Sequence, residues 1–274
     1  MLNLLYITNR PEVAVIAEDA GVNTVFVDLE TIGKSERQGG LDTIQSHHTI
    51  EDIVRIRRAL RKADLLVRCN QLYDGSQSEI DSICDAGADI IMLPYFKEVE
   101  TARRFIEMVD GRARTCLLIE TAEAARDAEK FAVLPGVDMV HIGLNDLHLD
   151  LGMTFMFQLL ADGTVERLGR IFDSHGLPWG FGGVARLGYG DLPAEAIIAE
   201  HYRLGSRAAI VSRSFCNTDI IRDLGEVKRI FDIGIADIRD LECRLSRGEI
   251  DFEKNRRNVV EAVERIVFKI QSKK

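Results

Sequence analysis

Two short stretches carry side chains suited to chemistry: Leu117-Leu118-Ile119-Glu120-Thr121 and His141-Ile142-Gly143-Leu144-Asn145-Asp146-Leu147. In each, an apolar, strand-like run ends on a carboxylate or on a glycine-led acidic turn. A buried strand ordinarily stops in turn residues, so a carboxylate at the mouth of a core needs a partner. Two such carboxylates suit a hard divalent cation, Mg²⁺ first and Mn²⁺ or Co²⁺ next, because these ions take oxygen ligands. Helix capping is the other use of an acid after a strand, and for Asp146 alone it has an equal claim. The pair favours a metal held by Glu120 and Asp146.

Other strand-like runs end in the same manner. The second reads Val27-Asp28-Leu29-Glu30, the third Val67-Arg68-Cys69-Asn70 and the fourth Leu93-Pro94-Tyr95. Period-two alternation puts Asp28 and Glu30 on one face of their strand. Asp28, Glu30, Glu120 and Asp146 then converge with Arg68 on one mouth. Unpaired, these acids would repel one another by roughly several kcal/mol at intermediate dielectric. A divalent cation together with Arg68 relieves that, and structural ion pairs are the bland alternative. His47 and His48 lie on the long polar segment 33–49, which could fold over the mouth. Long loops are often functional, and an imidazole titrates in the range a general base needs; solvated surface is the competing reading. His148 follows the Asp146 turn too closely to face the same substrate, and His201 reads as surface. The glycine-rich run Trp179-Gly180-Phe181-Gly182-Gly183-Val184-Ala185-Arg186-Leu187-Gly188 has two equal readings. It is either a phosphate loop assisted by Arg186 or Arg213, or a strand relieved of crowding.

These residues need a scaffold that brings strand ends together. Short aliphatic runs alternate along the chain with segments of helical period. Eight strand candidates begin near Leu2, Thr24, Leu65, Ile90, Thr115, Val137, Pro178 and Ala208. Continuous apolar strands separated by amphipathic helices imply parallel pairing with both faces covered. Eight such units predict a (β/α)8 TIM barrel, whose catalytic groups sit at the C-terminal strand ends. A doubly wound sheet is the alternative, but no GxGxxG turn opens the chain. Residues 1–216 are read as the catalytic barrel, and 217–274 as additional C-terminal helices of the same domain. Val259, Val260, Val263, Ile266, Val267 and Ile270 form an apolar stripe that must cover this barrel or a neighbour's.

With 274 residues the chain is long enough to bury a single large core without staples. Its formal charge of −9 argues against nucleic acid or an anionic membrane as partner. The 5 cysteines are scattered and never spaced CxxC, which predicts reduced thiols and a cytoplasmic protein. The short apolar N-terminus lacks the basic flank of an export signal. No apolar run approaches the roughly 18 residues of a membrane span.

This constellation resembles the HpcH/HpaI aldolase and citrate lyase β-subunit family over residues 2–216. The resemblance is most specific in Val27-Asp28-Leu29-Glu30, Val67-Arg68, Gly87-Ala88-Asp89-Ile90-Ile91-Met92-Leu93-Pro94, Ile119-Glu120-Thr121 and Ile142-Gly143-Leu144-Asn145-Asp146-Leu147. It implies a (β/α)8 barrel binding Mg²⁺ or a similar ion through Glu120 and Asp146. Arg68 would hold the carbonyl of a 2-oxo acid or acyl group as it becomes an enolate. It also implies exchange of the last barrel helix between subunits, hence a homo-oligomer. Backbone amides around Gly143, Asn145 and Asp146, at a helix start, suit a substrate carboxylate. The implied activity is a metal-dependent carbon–carbon lyase of aldolase type, working through the enolate of a pyruvate-like 2-oxo acid. A citrate-lyase-type acyl-CoA lyase ranks lower because no basic groove for CoA is visible, and a non-catalytic metabolite-binding barrel is the rival from another class. In the family's pyruvate aldolases a histidine base follows the strand-two acids, and the citrate lyase type reads Asp-Leu-Glu-Asp. Thr31 occupies that position here, so the resemblance supplies no base. His47 and His48 stand as candidates, with Glu30 and Asp28 orienting the base or a water.

Overall fold

The computed structural model describes residues 1–33, 48–212 and 214–272. Its chain order begins β1 (Asn3–Ile7), α1 (Pro11–Ala20), β2 (Thr24–Asp28), α2 (Ile50–Ala59), β3 (Asp64–Arg68) and α3 (Ser76–Asp85). It continues through β4 (Ile90–Leu93), α4 (Val99–Val109), β5 (Arg114–Ile119), α5 (Ala122–Arg126), α6 (Ala128–Ala132) and β6 (Met139–Ile142). Then come α7 (Leu144–Asp150), α8 (Gln158–Ala161), α9 (Thr164–Ser174), β7 (Trp179–Val184), α10 (Ala194–Leu204) and β8 (Ala208–Val211). Two long helices finish the chain, α11 (Leu224–Ser246) and α12 (Phe252–Gln271). The strands pair in parallel in chain order, and β8 returns to β1 with Asn3 opposite Ala208, so the sheet is a closed barrel. The expected (β/α)8 architecture is therefore the observed one.

Strand parity sorts the side chains. Leu5, Phe26, Leu66, Ile90, Met92, Cys116, Leu118 and Ala208 fill the barrel interior. The alternate residues meet the helices in a larger apolar layer. Helix starts follow local chemistry. Thr49 and Asp52 form a reciprocal capping box at α2, while Asp223 and Asp251 cap α11 and α12 through Glu226 N and Lys254 N.

Helix α11 packs against α10 and α1, which makes it the barrel's own eighth helix. Helix α12 lies across α8 and α10 of the same chain, with Val259 and Val263 buried there. The apolar stripe thus covers this barrel, and no exchange between subunits is needed to bury it. No helix among the described residues is long and apolar enough to cross a membrane.

Gly180 shows why β7 is glycine-rich. A Cβ there would press into the Ala208 carbonyl oxygen and come within 2.6 Å of the Ala208 Cβ on β8. Because the obstacle is backbone, Gly180→Ala is expected to lower stability by about 1–3 kcal/mol, the range for overpacking. A urea unfolding midpoint equal to that of the parent protein would show that β7 and β8 can separate at no cost.

Candidate functional site

The β2–β3 register sets Asp28 directly opposite Arg68. The guanidinium donates from Nε and Nη2 to the two Asp28 carboxylate oxygens, both at 2.9 Å, and Nη2 lies 3.2 Å from Glu30 Oε2. Burial opposes the arginine's charge, but Asp28 and Glu30 outweigh it and hold the group protonated well above its ordinary value. Among the described residues this fork engages one edge of Arg68 and leaves Nη1 as its remaining donor nitrogen. Asp28 and Glu30 are thus counter-ions of Arg68 as well as candidate orienting groups. Just beyond, Asn70 Oδ1 accepts from the Thr31 and Ile32 amides at 2.8 and 3.0 Å, fixing the chain as it leaves β2.

Glu120 follows the last residue of β5 and is 3 % exposed. Its Oε1 accepts from the Tyr95 amide at 2.9 Å, and Tyr95 has a left-handed φ of 44°. A non-glycine residue tolerates that conformation only where surrounding structure enforces it. Burial pushes the Glu120 carboxyl up to about 8, with Asp146 and Glu30 adding to the effect and Arg68 opposing it. Gly143 makes this packing possible, since a Cβ there would stand 2.9 Å from Glu120 Cβ and 3.0 Å from Oε2.

Asp146 sits in the first turn of α7, where Asn145 Nδ2 donates to its Oδ1 at 3.3 Å. The Gly143 amide is already given to Ile119 O at 2.9 Å. Any anion here would therefore meet the amides of Leu144, Asn145 and Asp146 rather than that of Gly143.

Asp28, Arg68, Glu120, Gly143, Asn145 and Asp146 line one cavity of about 780 Å³ at the C-terminal mouth of the barrel. Glu30 reaches it through Arg68. Among the described residues no group of three or more His, Cys, Asp or Glu is arranged to hold a metal. The donor set still fits a hard divalent ion. Glu120 is a buried carboxyl made more basic by the neighbouring Asp146, and two carboxylates leave further coordination positions to water or substrate oxygens.

The histidines divide. His47 lies outside the described residues. His48 Nδ1 accepts the Asp28 amide at 3.0 Å, so a neutral ring carries its proton on Nε2 and is a donor there. His148 turns back on its own helix, Nδ1 lying 3.2 Å from Leu144 O. His201 is not surface: it is fully buried and stacked on Phe181, with centroids 3.6 Å apart. Period-based reading of α10 missed this because β7 presents a flat aromatic ring flanked by Gly180 and Gly182. Arg186 lies over the Tyr189 ring, 4.4 Å from its centroid, and does not line the cavity; Arg213 lies outside the described residues. Gly180 serves close packing against β8, while Gly182 and Gly183 line the cavity.

Sequence reasoning also passed over His141, a buried cavity-lining side chain on β6, and the apolar wall formed by Phe155, Met156 and Phe157. Parity counted back from Gly143 would have placed position 141 inside the barrel.

A model of the HpcH/HpaI aldolase/citrate lyase family matches residues 4–156. Similar solved structures include an HpcH/HpaI aldolase from Desulfitobacterium hafniense, 19 % identical with a TM-score of 0.62, covering 83 % of this chain and 93 % of that one. An HpcH/HpaI aldolase/citrate lyase family protein from Burkholderia cenocepacia is 16 % identical, with a TM-score of 0.64 and coverage of 83 % and 94 %. Macrophomate synthase is 13 % identical, with a TM-score of 0.58 and coverage of 84 % and 85 %. No curated protein matches the chain.

The Glu120 carboxyl gives a pH signature. An acid whose pKa is raised by folding holds its proton more tightly in the folded chain. Its contribution is therefore most favourable below its ordinary value near 4.5 and declines as pH rises toward about 8. In chelator-treated protein Tm should fall by a few degrees over that window, and Glu120→Gln should flatten the decline. An identical slope in the variant would mean that Glu120 is not held protonated.

Proposed function

The chain is a member of the HpcH/HpaI aldolase/citrate lyase family, and on that premise we propose that it is a divalent-metal carbon–carbon lyase acting through the enolate of a pyruvate-like 2-oxo acid. The observation that carries the reading is the grouping of Arg68, Glu120 and Asp146 around one cavity, with Glu120 buried and made basic. Glu120 and Asp146 would hold the ion, Mg²⁺ first and Mn²⁺ or Co²⁺ next. When bound, it supplies Lewis acidity toward the carboxylate and carbonyl oxygens of the 2-oxo acid.

The remaining work belongs to the protein. Arg68 offers a fixed donor to the carbonyl oxygen as negative charge gathers there, and being held by Asp28 and Glu30 it need not reorganise as the charge develops. The amides of Leu144, Asn145 and Asp146 face the substrate carboxylate. In the cleavage direction the C4 hydroxyl of a 4-hydroxy-2-oxo acid loses its proton and the C3–C4 bond breaks. Its electrons pass into the C2 carbonyl, and C3 is then protonated. The proton carrier is assigned to His47 or His48, with His48 limited by the tautomer its Asp28 contact imposes. Exposed Ile233 and Phe268 on the two C-terminal helices support a homo-oligomer, to be read as a mass above that of one chain by light scattering. We place the protein in the cytoplasm.

Enolisation alone tests the reading. With Mg²⁺ or Mn²⁺ present, the methyl protons of pyruvate should exchange with D₂O, and Arg68→Ala should slow exchange by roughly 10²–10³-fold. His47→Ala and His48→Ala, run in parallel, identify the base by the larger loss. Glu120→Ala and Asp146→Ala should each abolish the thermal stabilisation that Mn²⁺ gives the parent. Absence of exchange across several 2-oxo acids, with metal demonstrably bound, would turn the assignment to an acyl-CoA lyase or a non-catalytic barrel.

A further inference from the structure

The barrel mouth divides by strand. At their C-terminal ends β2 and β3 bring Asp28 and Arg68 to the cavity, and Glu120 follows β5. The neighbouring strands β7, β8 and β1 contribute only Gly182, Gly183, Ile210 and Ile7. Both isoleucines pack on the barrel interior yet are only partly buried, so the surface they leave accessible opens on the cavity. Gly182 pairs with Ile210, and a Cβ there would stand 3.5 Å from Ile210 Cβ and Cδ1, so the glycine leaves that flank uncovered. The segment between α7 and α8 adds Phe155, Met156 and Phe157 to the lining, and Met156 too is only partly buried.

Apolar surface left open inside a cavity favours a ligand whose hydrocarbon part covers it. A three-carbon 2-oxo acid fills only a small part of about 780 Å³, a volume suited to a considerably larger ligand. Charge argues the same way. Arg68 is the one lysine or arginine among the described residues lining the cavity, and Asp28 and Glu30 already share it. A second carboxylate or a phosphate on the substrate would therefore leave water without a cation of its own. Asp191, exposed between β7 and α10 and also part of the lining, would repel it.

We propose that Ile7, Ile210 and Met156 set the substrate class: 4-hydroxy-2-oxo acids whose C4 substituent is an uncharged hydrocarbon, released as an apolar aldehyde. The proposal rests on the lyase reading above, which makes this cavity the substrate site and directs the 2-oxo acid to Arg68, Glu120 and Asp146. For 4-hydroxy-2-oxooctanoate the hydroxyl proton leaves and the C3–C4 bond breaks, so that C4 becomes the carbonyl carbon of pentanal. C3 takes up a proton and becomes the methyl group of pyruvate.

The test is binding, measured by calorimetry on the full chain with Mg²⁺ present. The probes are pyruvate, 2-oxooctanoate, which lacks the C4 hydroxyl and cannot be cleaved, and 2-oxooctanedioate, its equal in length with a carboxylate at the far end. 2-Oxooctanoate should bind at least about tenfold more tightly than pyruvate, the gain from fully burying two methylenes. 2-Oxooctanedioate should bind no more tightly than pyruvate. Ile210→Ala should reduce the ratio of 2-oxooctanoate to pyruvate affinity by about threefold or more, one buried methylene's worth. Met156→Arg, at a less buried position, should favour the diacid over the monoacid by about tenfold relative to the parent, the size of one charge-assisted hydrogen bond. A monoacid that binds no better than pyruvate or not at all, a diacid that binds as well as the monoacid, or unchanged ratios in both variants would overturn the proposal. Pyruvate exchange is measured separately. Loss of exchange with the tail preference intact would sink the lyase reading alone, and exchange without the preference would sink the substrate class alone.

Discussion

A guanidinium inside the mouth of a barrel must be compensated where it stands. Removing such an ion from water costs about several kcal/mol, and only well-aligned counter-ions offset that. The β2–β3 register meets this demand by putting Asp28 level with Arg68, where planar fork and carboxylate meet at two 2.9 Å hydrogen bonds. Glu30 adds a second negative charge to the same nitrogen. The trio therefore carries a net negative charge. It fixes a donor edge of Arg68 toward the cavity, and Arg68 in turn opposes the burial that disfavours ionising the next carboxyl, Glu120. Glu120 and Asp146 stand beside that trio at the same cavity.

Backbone does much of the remaining positioning. The Tyr95 amide, held by a left-handed turn at the end of β4, supplies Glu120 with its direct hydrogen bond. Asn70 fastens the chain after β2, and Thr121 caps α5 while its hydroxyl donates to Phe96 O. These contacts tie the end of β2 to that of β3 and the end of β4 to that of β5. A carboxylate so held can accept a metal or a substrate with little rearrangement, which is what preorganised electrostatic catalysis requires.

Missing side chains shape the site as much as present ones. Gly143 lets Glu120 pass, Gly180 lets β7 approach β8, and Gly182 lines the cavity. The result is a cavity with charge on one side and apolar walls on another. Such an asymmetric lining suits a substrate whose reacting end is anionic and whose remainder is not.

The sequence by itself determined the eight strands, their parity and the acids and arginine at their ends. Thr24–Asp28, Ile90–Leu93 and Val99–Val109 fall where periodicity puts them, because strand alternation and helix capping depend on near neighbours in the chain. Arg68, Glu120 and Asp146 were legible for the same reason, each being the polar stop of an apolar run. Tertiary structure decided what depends on residues far apart. His201 is buried because Phe181 on another element offers it a ring. The α12 stripe covers its own chain because α8 and α10 present the complementary face. His48 becomes a donor because its Nδ1 meets the Asp28 amide. Periodicity states which side of an element a residue occupies; only the closed barrel fixes what stands opposite it.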